Sequence, residues 1–97
     1  MATYIVVANF TEHGIRSVKD TTRRADAFRD LAKLHGITVK DIFWTLGRYD
    51  IVTTIEAPDD VAVTALGLSL GKSGNLRTET LRAFSQADMV AILDKVT

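Results

Sequence analysis

Phe43-Trp44-Thr45-Leu46-Gly47-Arg48-Tyr49-Asp50-Ile51-Val52 sets a turn of about two to four residues between two strongly apolar, β-favouring runs. Before the turn, Ile42, Trp44 and Leu46 alternate with Phe43 and Thr45; after it, Ile51, Thr53 and Ile55 alternate with Val52 and Thr54. Gly47 supplies the left-handed backbone that a tight turn needs. The stretch reads as a hairpin at the centre of a small sheet, its strands running roughly from Thr38 to Leu46 and from Asp50 to Glu56, with apolar residues on both faces.

Upstream, Tyr4, Val6, Ala8 and Phe10 alternate with Ile5 and Val7, and a strand apolar on both alternations belongs inside a sheet. A polar loop, Thr11-Glu12-His13-Gly14, leads into an amphipathic helix that starts at Ile15 or at Thr21 and ends at Leu34. Its apolar positions Ala25, Phe28, Leu31 and Ala32 recur at three- and four-residue steps. Asp20 or Thr21 suits the cap of the later start, and Gly36 stops the helix. Downstream, Pro58 and two acidic residues open a second helix rich in small residues, closed by Gly71 or Gly74. Leu76 to Phe84 reads as a fourth strand whose mixed polarity suits an edge or a cavity rim. Ser85 caps a terminal helix with Asp88 three residues on, and Phe84 and Met89 are placed as a hydrophobic staple.

The order strand, helix, strand, strand, helix, strand, helix is an α+β, ferredoxin-like βαββαβ unit with a four-stranded antiparallel sheet and a C-terminal helix. No repeat, linker or low-complexity tract divides it, so residues 1–97 read as one domain. Two helices cover one sheet face in such a fold. The other face is also apolar here, more so than soluble monomers usually expose, which predicts a homodimer closed through the sheet faces into an α/β barrel.

Composition narrows the function classes. A chain of 97 residues with 46% apolar content supports one core. Twelve basic and twelve acidic residues cancel, so no global field draws the protein to nucleic acid or an anionic membrane, and neither is expected as a partner. Without cysteine there is no disulfide, thiolate nucleophile or Cys-ligated zinc. The opening Met1–Ala8 has no basic n-region, and no apolar run reaches the roughly 18 residues of a membrane span; the expectation is a cytoplasmic protein.

The block from Trp44 to Val52, together with Gly74-Asn75-Leu76-Arg77-Thr78-Glu79-Thr80-Leu81-Arg82-Ala83-Phe84, resembles the GYD-domain family, named for the residues that here are Gly47, Tyr49 and Asp50. Gly14-Ile15-Arg16 to Asp20 also fits its pattern. The resemblance spans essentially the whole chain and implies the dimeric α/β-barrel fold. That fold is shared with small monooxygenases, isomerases, stress-responsive barrel proteins and sensory domains of regulators, whose chemistries are unrelated, so it implies little about activity.

Gly47, Tyr49 and Asp50 have two readings. In one they build the turn, Asp50 bonding backbone amides and Tyr49 packing its ring; in the other Tyr49 and Asp50 line a pocket mouth with Trp44 as its apolar wall. Arg77, Thr78 and Thr80, with Arg16 approaching from the loop after the first strand, offer donors to an anionic or carbonyl ligand, although Glu79, Asp20 and Asp50 are available to pair with those cations. His13 and His35 are the only histidines, too few beside Glu12 for a metal site, and His35 stands where a helix C-terminus favours a cation. Gly67-Leu68-Ser69-Leu70-Gly71-Lys72-Ser73 has one residue too few between its glycines for a phosphate-binding loop and lies at the wrong end of a helix.

No metal or cofactor is expected. The leading expectation is a small homo-oligomer binding an unidentified, partly apolar small molecule in a cavity between sheet and helices. The alternatives are a cofactor-free enzyme of monooxygenase or isomerase type, with His13, Tyr49 or Asp50 moving protons, and a self-assembling or partner-docking module.

Overall fold

A strand apolar on both alternations belongs in the middle of a sheet, and β1 (Ala2–Phe10) sits there in the computed structural model, which describes residues 1–97. It pairs antiparallel with β3 (Ile51–Ala57) on one side and β4 (Leu76–Ala83) on the other, and β2 (Thr38–Trp44) completes the four-stranded sheet in the order β2-β3-β1-β4. With α2 (Thr21–Leu34) after β1 and α3 (Asp60–Lys72) after β3, this is the α+β, ferredoxin-like arrangement. The mixed-polarity β4 is an edge strand, as its sequence predicts.

The hairpin departs from expectation in two ways. It does not occupy the sheet centre: β2 is the other edge strand, and Phe43, on the face away from α2 and α3, is 57% exposed. Its connection is also longer than a tight turn, running through residues 45–50. Asp50 closes the loop against both neighbours of β3: its carbonyl accepts from Thr45 N–H at 2.8 Å in the β2–β3 register, while its N–H donates to Ala8 O at 2.9 Å, one residue out of the β1–β3 register. Gly47, at φ +103°, takes the left-handed conformation that reverses the loop. In β2, Lys40 is the extra residue of a bulge between Val39 and Asp41.

The first helical segment resolves in favour of the later start. A short α1 (Glu12–Arg16) and a 3₁₀ turn (Val18–Asp20) precede α2. Thr11 Oγ1 accepts from Gly14 N–H at 3.0 Å and so caps α1, whereas the carboxylate of Asp20, at the cap position of α2, makes no cap bond and pairs with Arg23 instead. Pro58 stands one residue before the Asp59 cap of α3 rather than inside its first turn. That helix ends at Lys72, with Gly74 at φ +79° just beyond. In α4 (Gln86–Leu93) both halves of the capping box form, Ser85 and Asp88 exchanging bonds of 3.0 Å, yet the helix carries no buried residue.

The pairing register sends Tyr4, Val6, Ile55 and Val39 to the face beneath α2 and α3, where they meet Ala32, Ile37, Val63 and Leu66. This core lies under the Tyr4 end of β1. The Phe10 end is filled differently.

Candidate functional site

Beneath α2 and α3, the Phe10 end of the sheet carries Ala8, Ile51, Thr78 and Trp44 side by side across the four strands. The helices answer with small residues, Ala25 and Ala27 from α2 and Ser69 from α3. The short helix side chains do not reach the sheet, which leaves a cavity of about 260 Å³. Phe28, Leu31, Ile42, Leu70 and Leu76 make most of its wall apolar.

Most polar groups of the lining are already occupied. Thr53 Oγ1 donates to Asp41 O at 2.5 Å, Ser69 to Ala65 O at 2.8 Å and Ser73 to Leu70 O at 2.7 Å. Trp44, expected as an apolar wall, lines the cavity, and its Nε1–H donates to Thr21 Oγ1 at 3.0 Å, tying the β2 edge to the first turn of α2. Arg24 is the single charged residue of the lining. No carboxylate, histidine or phenol is among the residues that form it.

The other residues singled out from sequence do not gather at this cavity. Asp50 Oδ2 accepts from Phe10 N–H at 2.9 Å, which clamps the loop onto β1. Tyr49 OH donates to Glu79 Oε2 at 3.3 Å, and Glu79 lies in the row Val52-Val7-Glu79 on the sheet face opposite the cavity. Because β1 stands between β3 and β4, that bond lays the Tyr49 side chain across β1, where Val7 is only 7% exposed. The Arg48 guanidinium stands 5.7 Å from the ring centroid. Arg77 falls on this same far face, opposite Asn9. Arg16 pairs with Glu12 at 2.6 Å on exposed α1, and His13 is exposed on the same short helix. His35 forms the C-terminal cap position of α2. No group of three or more histidine or acidic side chains is placed to hold a metal ion.

Thr80 belongs to a second, shallower groove beside α3, with Tyr4, Asp60, Thr64 and Arg82. The Tyr4 hydroxyl donates to the Asp60 carboxylate, and that bond, with burial adding to it, holds the phenol above its usual pKa of 10.0. Arg82 stacks between the Tyr4 and Phe84 rings, 5.5 and 4.6 Å from their centroids. These groups satisfy one another.

Sequence reasoning passed over Arg24 and Asn75. A signal for Arg24 exists: it stands four residues before Phe28 and seven before Leu31, so it is a cation on the apolar stripe of α2. Asn75 carries no such signal, because its place follows from the packing of α1 against the start of β4.

Residues 4–93 match the GYD domain family. The chain is also 34% identical over 94 residues to a protein of Thermus thermophilus named glutamine synthetase and cystathionine beta-lyase binding protein, an alignment covering 96% of this chain and 99% of that one.

Proposed function

The chain belongs to the GYD-domain family, and from its likeness to the Thermus thermophilus binding protein we propose that it acts by binding, as a homodimer that docks on metabolic enzymes. Glutamine synthetase and cystathionine beta-lyase, for which its relative is named, are the partners we propose. The observation that carries the reading is α4. It has a formed capping box and no buried residue, and Met89, Val90 and Leu93 stand exposed on a helix that this protomer leaves without cover. An apolar helix face held in a defined conformation is what a groove on a partner receives. Self-association would use the far sheet face instead, where Phe43 and Leu81 are exposed beside Ile5 and Val52. Cytoplasmic residence goes with such partners; no helix is long and apolar enough to cross a membrane.

The test is native mass spectrometry of the protein alone and mixed with each enzyme. The expected result is a dimer that adds to the enzyme oligomer. A Val90→Asp/Leu93→Asp variant should lose the complex and keep the dimer, and Phe43→Asp should lose the dimer. A wild-type protein that remains free in both mixtures overturns the docking reading.

A second reading, that each protomer also holds a small and partly apolar molecule, is favoured by the 260 Å³ cavity. Discrete added mass on freshly purified protein is its expected sign. The enzyme alternative draws less support from the geometry, since His13, Tyr49 and Asp50 do not line that cavity and general acid–base catalysis needs a proton-moving group within hydrogen-bond reach.

A further inference from the structure

We infer that the cavity takes a small monocarboxylate, an apolar body of about one ring or a short chain with its anionic head held by Arg24 and Asn75. This rests on the second reading above and names the ligand class. Arg24 reaches the cavity from α2, and its Nη2 donates to Ser17 O and, at 3.4 Å, to Gly14 O. Those bonds fix the guanidinium while Nη1 and Nε have no protein acceptor, and Arg24 pairs with no carboxylate, unlike Arg16, Arg23 and Arg29. Arg24 is half-buried at the cavity and keeps these two nitrogens free to donate, so an anionic ligand entering the cavity meets a cation with no carboxylate of its own.

Asn75 lies at the same end. Gly14, whose carbonyl accepts from Arg24, packs so tightly on Asn75 that a Cβ there would collide with the Asn75 carbonyl oxygen. That carbonyl accepts from Thr11 N–H at 3.1 Å; Asn75 is one of the residues lining the cavity, and its side-chain amide, which has no protein partner, is the donor we assign beside Arg24. The hydroxyls of Thr53, Ser69 and Ser73 donate to backbone carbonyls, and that of Thr78, though unpaired, carries no charge, so Arg24, the one cation of the lining, decides where an anionic head sits. The head therefore sits at the Arg24 end, and the body lies against Phe28, Ile42 and Trp44. A volume of about 260 Å³ lies just below the usual range of ligand sites, which favours a small ligand body.

The test is calorimetric titration of the wild-type protein with matched acids and amides: benzoate and benzamide, 3-phenylpropionate and 3-phenylpropionamide, hexanoate and hexanamide. At least one acid should bind about tenfold or more tightly than its amide, the scale of a charge-assisted hydrogen bond. Arg24→Gln should level that pair by weakening only the acid, and Thr78→Leu, which fills the cavity without touching the guanidinium, should weaken both members. If Arg24→Gln does not fold, the wild-type ratio decides alone. Amides that bind as well as their acids would leave the cavity reading standing and overturn the carboxylate proposal. No binding by either series at millimolar concentration would overturn both.

Discussion

The Asp50 carboxylate accepts a hydrogen bond from the Phe10 backbone N–H at 2.9 Å, joining residues forty positions apart at the point where β1 leaves the sheet. Asp50 N–H also donates to Ala8 O, so one residue closes the β1 end from both its backbone and its side chain. Asp50→Ala leaves the partly buried Phe10 N–H unpartnered and should cost about 1–3 kcal/mol. Asp50→Asn keeps an acceptor and should lose less. Urea unfolding with unchanged slope is the measurement. A loss of enzyme docking or ligand binding in Asp50→Asn with full stability would instead give the carboxylate a functional role.

Gly14→Ala should be among the most damaging small substitutions in the chain. Its φ is not in the left-handed region, so the reason is space alone: a Cβ would clash with Asn75 O and stand 2.9 Å from the Asn75 carbonyl carbon. Backbone must move, and overpacking of this kind costs about 1–3 kcal/mol. Gly67, inside α3 with nothing within 4 Å of the place an added methyl group would take, is the control. There alanine should stabilise by about 0.5–1 kcal/mol through helix propensity. Paired thermal melts should move in opposite directions.

Period-two alternation gave β1 its central place and β4 its edge, and the Ser85-x-x-Asp88 spacing located the α4 cap, because those signals are local and share one physical cause with the structure. The hairpin misled for a reason that is not local. Ile42 and Trp44 are apolar because they roof a cavity under α2, and Phe43 is apolar on a face that this protomer leaves open, so two-sided apolarity did not mean two-sided strand neighbours. The loop length was hidden in the same way, since Asp50 is drawn off by β1, a partner forty residues away. At the candidate site, the sequence reading set Trp44 as the wall of a mouth lined by Tyr49 and Asp50, whereas Trp44 lines a cavity that those two residues do not reach. Arg24 was not legible, because a single cation on a helix stripe is read as solvated until the opposing sheet is known.

Tyr49 should behave as a cover for the sheet rather than as a group of the cavity. Tyr49→Phe loses only the exposed 3.3 Å bond to Glu79 and should cost less than about 1 kcal/mol. Tyr49→Ala also uncovers β1 near Val7 and removes the ring that Arg48 faces, so it should cost about 1.5–3 kcal/mol, the scale of exposing a large apolar side chain. Both variants should bind the carboxylate probes as the wild type does, since Tyr49 and the cavity lie on opposite faces. Denaturant melts and calorimetry on the same preparations check the two halves of the expectation.

Acid should loosen α4 before the rest of the fold. The Ser85 backbone N–H, and next the Ser85 hydroxyl, hold the Asp88 carboxyl below its ordinary 3.8. A carboxylate with a depressed folded pKa stabilises the folded form above the unfolded value and loses that contribution as pH falls through 3.8 toward the lower folded one. The protection of the Met89 and Val90 amides, their exchange rate relative to an unstructured chain at the same pH, should therefore be constant from neutral pH down to about 5 and fall below about 4. In Asp88→Asn the helix should be looser at neutral pH and show no such acid step. If docking runs through α4, the wild-type complex should weaken over the same acid window and the Asp88→Asn complex should not, which separates a contact made by this helix from one made by the sheet.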